Sequence, residues 1–214
     1  MRRILTVVLA ACAVSLAVRP AQAQTAQRIS IQASGLYTGL YGSAFEGIKG
    51  GIGGEAQIRY TSSALSIGGG VQYTLHNTSG DFVTLFSKVK LLGFFIEPRY
   101  VIDAGSESFA PYLSMRLAMS NMSFDLGSSL TQSGLAWSVG NPTGPTVNGG
   151  GGVLIRLSGR ANLDLGVTYG YTKFKNISIS ATNPSTGQTV TEQAKVGSGT
   201  NAVVRVGFAL GLGG

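Results

Sequence analysis

The sequence predicts an all-β fold, an eight-stranded antiparallel up-and-down barrel that crosses a membrane, and three observations carry that reading. Eight stretches alternate apolar with polar or glycine residues, the period of a strand whose two faces meet different surroundings. The connections between them are short and long in turn. The charged residues share the face opposite the apolar ones, so the apolar faces have to lie outside, against lipid.

The strands run Arg28–Tyr41, Gly51–Thr61, Ala64–His76, Phe94–Asp103, Ala110–Phe124, Asn148–Ser158, Ala161–Phe174 and Asn201–Leu212. The clearest is Leu65 to Leu75, with Leu65, Ile67, Val71, Tyr73 and Leu75 on one face and Ser66, Gly68, Gly70, Gln72 and Thr74 on the other. Short turns join the second to the third strand, the fourth to the fifth and the sixth to the seventh. Residues 42–50, 77–93, 125–147 and 175–200 form long loops at the other end, so both chain termini fall at the short-turn end. The strand number is even, and each strand reaches the ~9–11 residues that cross a bilayer when tilted. A soluble eight-stranded barrel is the structural rival, but it would turn its apolar face inward around a ligand.

Strand by strand, the inward face collects ionic groups. On the second strand Glu55, Gln57 and Arg59 oppose Ala56, Ile58 and Tyr60; on the fourth, Glu97 and Arg99 oppose Ile96, Pro98 and Tyr100. On the fifth strand Tyr112, Ser114 and Arg116 oppose Leu113, Met115 and Leu117. Arg156, Asp164 and Arg205 take the same face of the last three strands. Five arginines and three carboxylates therefore point into the lumen: Glu55, Arg59, Glu97, Arg99, Arg116, Arg156, Asp164 and Arg205. An arginine at the bilayer midplane costs ~2–4 kcal/mol, which assigns this face to the interior. An eight-stranded barrel is narrow enough for side chains to fill it, so the charges are expected to form an ion-paired plug. A selectivity filter for anions is the functional alternative, because arginines outnumber acids. Tyr60 and Tyr100 at one end and Tyr73, Tyr169 and Tyr171 at the other read as interfacial girdles. Pro98 has no N–H to give a neighbour, and a bulge or kink is expected there.

The start of the chain decides the compartment. Met1-Arg2-Arg3, the apolar run Ile4 to Val18 and Ala21-Gln22-Ala23 have the form of a secretory signal peptide, residues 1–23, which leaves 24–214 as one barrel domain. Leu9-Ala10-Ala11-Cys12 is a competing lipoprotein motif, with only a short apolar core before it. With Cys12 removed in the leader there is no disulfide framework to infer. Loss of Arg2, Arg3 and Arg19 leaves 13 Lys+Arg against 9 Asp+Glu, a charge of +4 that is too mild and dispersed for nucleic acid. No later stretch has the ~18 consecutive apolar residues of a transmembrane helix.

The segments Phe94-Phe95-Ile96-Glu97-Pro98-Arg99-Tyr100, Ala110-Pro111-Tyr112-Leu113-Ser114-Met115-Arg116 and Leu163 to Tyr171 resemble the small outer-membrane β-barrel proteins of Gram-negative-type bacteria. The nearest general type is the outer-membrane protein A and X kind. The resemblance covers the whole mature chain. It implies residence in the bacterial outer membrane, contact with outer-membrane lipid, and delivery by periplasmic chaperones and the barrel-assembly machinery. The chain departs from the type at Phe208-Ala209-Leu210-Gly211-Leu212-Gly213-Gly214, where such barrels finish on an aromatic residue.

Sites for chemistry are few. His76, the single histidine, lies beside Asn77-Thr78-Ser79 and is the one candidate for a serine–histidine lipid-modifying enzyme; by parity it faces inward with no orienting carboxylate. No metal-ligand cluster and no cofactor motif is present in the sequence. The runs Gly50–Gly54 and Gly149–Gly152 lack the Lys-Ser/Thr ending of a phosphate loop and read as bends and close-packed strand starts. Residues 175–200 hold two alternating segments around Asn183-Pro184-Ser185-Thr186-Gly187, a hairpin above the membrane that reads first as a stiff polar loop and second as an exposed strand edge where an extracellular partner would bind. The expectation is a non-enzymatic outer-membrane barrel with a structural or surface-interaction role. A narrow porin-like channel for small solutes is the alternative, and a lipid-modifying enzyme is third.

Overall fold

The computed structural model describes residues 27–212, so the segment 1–23 expected to be a leader and the last two glycines lie outside the described residues. Among the described residues eleven strands run in chain order: β1 Ile29–Tyr41, β2 Ile48–Ser62, β3 Leu65–Thr78, β4 Phe86–Val101, β5 Phe109–Leu126, β6 Ala136–Val139, β7 Thr143–Arg156, β8 Ala161–Lys173, β9 Ile177–Thr182, β10 Thr189–Ala194 and β11 Ser198–Leu212. Eight of them close a barrel in the order β1-β11-β8-β7-β5-β4-β3-β2, all antiparallel, each bonded to the next barrel strand in sequence, with the β1–β11 seam closing the ring. This is the up-and-down topology read from the sequence. β9 and β10 form the hairpin expected within 175–200, and β6 joins them in a separate three-stranded sheet.

Closure removes every barrel edge, which hydrocarbon requires, because an unpaired N–H or C=O there has no water to turn to. The outer face is accordingly apolar: Ile58, Ile67, Phe94, Ile96, Leu113, Val167, Val206 and Phe208 are all exposed. Tyr60 and Tyr100 stand exposed at the short-turn end, with Tyr73, Tyr169 and Tyr171 toward the other end. Tyr37 and Tyr41 of β1 extend that second girdle.

The sequence reading draws β4 and β7 too short at the loop end, beginning them at Phe94 and Asn148 rather than Phe86 and Thr143, and along β4 the reason is a change of solvent along the wall. Toward the loop end, Val89, Met122 and Leu91 turn inward, while Lys90 pairs with Ser123 on the outside and binds Asp125 at 2.6 Å. Polarity is inverted there, apolar inside and polar outside, as suits a wall standing in water. The connection is therefore 79–85 rather than 77–93, and the next is 127–142 rather than 125–147. Strict alternation of short and long connections fails as a result, since the 102–108 turn is as long as the 79–85 loop.

Pro98 produces no bulge. Ile67 stays opposite Pro98 on β3; the β5 ladder has no partners at Glu97 and Pro98 and resumes at Arg99↔Ser114 in the register it left at Ile96↔Leu117. A missing donor interrupts a ladder without shifting it when its neighbours hold the register. The glycine runs lie within β2 and β7 rather than at strand starts. At Gly53 a Cβ would overlap the Tyr73 carbonyl oxygen and lie 2.7 Å from Thr74 Cα, so the inward wall has no room for a side chain. Gly53→Val is expected to destabilise the barrel by about 1–3 kcal/mol, the range for overpacking. Ile52→Val on the outer face should change little; unfolding of both refolded variants in urea makes the comparison.

The sheet above the barrel is a continuation of its wall. Lys175 N donates to the Thr143 carbonyl and Gly140 N to the Ser178 carbonyl, so β6–β9 keeps the register of β7–β8 across the intervening residues. Phe174 N donates to the Gly197 carbonyl, and β9–β10 likewise keeps the register of β8–β11.

Candidate functional site

The lumen is filled in layers. At the loop end Leu40, Ala44, Phe45, Ile48, Val89, Met122 and Phe174 form an apolar cluster, with Phe45 and Phe174 edge to face at 5.8 Å. At the turn end Val101, Ala110, Tyr112 and Leu154 form a smaller one. Between them lies a belt of charge supplied by β2, β4, β5, β8 and β11.

Glu97, fully buried, is the hub. Its Oε1 accepts from Arg59 Nη2 at 3.0 Å and Arg99 Nε at 2.8 Å; its Oε2 accepts from Arg116 Nε at 2.7 Å and Arg205 Nη1 at 3.0 Å. Glu55 takes Arg116 Nη1 at 2.7 Å and Arg205 Nη1 at 3.3 Å. Asp164 pairs with Arg99 Nη2 at 2.8 Å and accepts from Tyr112 at 2.6 Å and Gln32 at 2.7 Å. Planar guanidinium forks suit this arrangement, because each can serve two carboxylates at fixed angles. Arg99 lies over the Tyr112 ring at 4.1 Å and Arg116 over the Phe95 ring at 3.8 Å. The belt needs space as well as partners. Gly68 faces Arg59, and a Cβ there would sit 2.8 Å from Arg59 Nη2 and 2.6 Å from Gln57 Oε1.

Seven of the eight charges named from the sequence meet in this belt. Arg156 stands apart from it, half-buried near the turn end and opposite Asn162 on β8. Its strand position, last in β7, explains this, because the acids sit nearer mid-strand. Sequence parity left Phe95 unassigned, although it shares the inward phase of Glu97 and Arg99. Pairing through Gln32 and Tyr112 crosses the lumen between non-adjacent strands, which no strand-local pattern records.

Toward the loop end the filling is neutral and hydroxyl-rich. Ser120, Thr146 and Thr172 link in sequence at 2.8 Å each, and Asn148 donates to Asn201 at 2.6 Å. His76 is buried, with Thr74 Oγ1 at 2.8 Å from Nε2 and the Lys49 carbonyl at 3.0 Å from Nδ1. Both ring nitrogens are engaged, and neither partner is a serine or a carboxylate, so the hydrolytic pair considered from the sequence is not assembled. A cavity of about 30 Å³ lies on either side of the belt. Glu97, Glu55 and Asp164 line neither cavity; the belt separates them.

No protein-family model and no curated protein matches the chain. Solved structures do. Neisserial surface protein A is similar with a TM-score of 0.54 and 18% identity, over 86% of this chain and 97% of that one. The outer membrane protein OprG from Pseudomonas aeruginosa gives 0.53 and 13% over 89% and 99%. A major outer membrane protein from Thermus thermophilus gives 0.54 and 15% over 86% and 98%. At these identities the likeness shows the fold, which is that of the small outer-membrane β-barrels.

Proposed function

We propose that this chain is a non-enzymatic integral outer-membrane protein whose closed barrel anchors an extracellular sheet, with a structural or surface-interaction role in the envelope. The observation that carries this reading is the filled lumen: an ion-paired belt between two apolar clusters, with a cavity of about 30 Å³ on either side of it. A conducting path would need polar walls from end to end. The inverted polarity of β4 and β5 above the tyrosine girdle supports the assignment of the long-loop end to the cell exterior. The short-turn end and both termini then face the periplasm. Outer-membrane lipid contacts the apolar exterior, and periplasmic chaperones with the barrel-assembly machinery would deliver the chain. A surface ligand would meet the β6–β9–β10 sheet, where Val190 and the other exposed residues of β10 stand clear of the barrel.

Planar-bilayer recording tests the closed lumen. The refolded barrel is expected to insert without adding conductance steps above the bare bilayer. Stable, concentration-dependent steps with anion preference would replace this reading with a narrow channel.

A further inference from the structure

The belt carries more positive charge than negative. Arg59, Arg99, Arg116 and Arg205 are each at most 6% exposed and bring four positive charges; Glu55, Glu97 and Asp164 bring three negative ones. Guanidinium groups keep their protons in proteins, so the surplus of one cannot be removed by titration. A buried charge without compensation is strongly unfavourable. Among the described residues no fourth carboxylate is buried in the lumen. His76 lies beyond the belt on the loop side, held by Thr74 and Lys49.

The turn-side cavity has the chemistry to make up the difference. Its volume is about 30 Å³, and its polar lining includes Arg59, Arg99, Ser30, Thr61, Ser66 and Asn162, with no carboxylate. Arg59 Nε is buried and has no hydrogen-bond partner among the described residues. Ser66 Oγ accepts from Arg59 Nη1 at 3.0 Å, which leaves its own proton to donate. A water needs ~10–15 Å³, so this space has room for a monatomic ion and is far too small for an anion of the size of gluconate. The cavity on the loop side is as large but is touched by one arginine, which Glu55 and Glu97 already satisfy.

We propose that a monovalent anion of the size of chloride or bromide binds in the turn-side cavity against Arg59 and Arg99 and completes the charge of the belt. It acts as a resident counterion. The inference goes beyond the closed-lumen reading, since an ion seated at a dead end needs no through path.

The test uses the refolded full barrel in detergent, with unfolding midpoints measured against bromide at constant ionic strength, gluconate making up the balance. Gluconate is too large for the cavity. The midpoint is expected to rise with bromide and saturate. Ser66→Asp places a carboxylate beside Arg59; it should unfold in gluconate at the bromide-saturated midpoint of the parent and show no bromide dependence. Equal midpoints in the two salts at every concentration would overturn the proposal. So would a linear, unsaturated rise shared by Ser66→Asp, which is a general salt effect. Should Ser66→Asp fail to fold, bromide anomalous scattering from crystals of the parent decides: a peak between Arg59 and Arg99 supports the site, and a flat map there removes it. Bilayer conductance bears on lumen closure alone, so the two readings fail separately.

Discussion

Glu97→Gln is expected to lower the unfolding free energy of the refolded barrel by about 3–5 kcal/mol, the cost of removing one partner from a buried ion pair. Four guanidiniums converge on this carboxylate. Arg59 would lose the one carboxylate it meets among the described residues, while Arg99, Arg116 and Arg205 would have to share Glu55 and Asp164. The amide keeps the shape, so the loss reports charge rather than volume. Urea unfolding, followed by the change in gel mobility between native and heated barrel, should show a lower midpoint at unchanged slope. Adding Arg59→Gln to Glu97→Gln should recover part of the loss, because it removes the charge that the first change orphans. A single variant as stable as the parent would mean that the belt is solvated and not a plug.

Val167→Arg tests the other face. Val167 is 56% exposed at the middle of β8, between Leu165 and Tyr169 on the outer surface. In a bilayer this substitution should cost about 2–4 kcal/mol, the midplane value for arginine on a barrel exterior. On a soluble barrel the same change at an exposed valine would stay within about 0.5 kcal/mol. Folding into vesicles at a series of urea concentrations separates the two, and an indifferent Val167→Arg would return the chain to the soluble class.

The eight barrel strands were legible because lipid outside and charge inside give the period-two pattern a large amplitude. Leu65 to Leu75 and Leu163 to Tyr171 show it residue by residue. The pattern failed where its environment changed. Above the girdle, Val89 points in and Lys90 points out, so the apolar phase reverses and the first residues of β4 read as loop. β6 was missed because four residues, Ala136–Val139, are too few to establish a period; its partner β9 defines it. Parity put the seven belt charges on the lumen side and could not say which would meet. That depends on closure, which brings Asp164 of β8 to Gln32 of β1 and Arg99 of β4, strands that are not neighbours of β8 in the barrel.

The unbroken register from β7–β8–β11 into β6–β9–β10 has a mechanical consequence. Ladder bonds in antiparallel sheet lie perpendicular to the strands. A pull on the exposed sheet along its strands is therefore carried straight into the barrel wall and loads many bonds together in shear. A tip joined by a slack loop would instead swing freely and pass no torque below. Here a load applied at the loop end is transmitted as one stiff ribbon, through the plane of the membrane, to the short-turn rim.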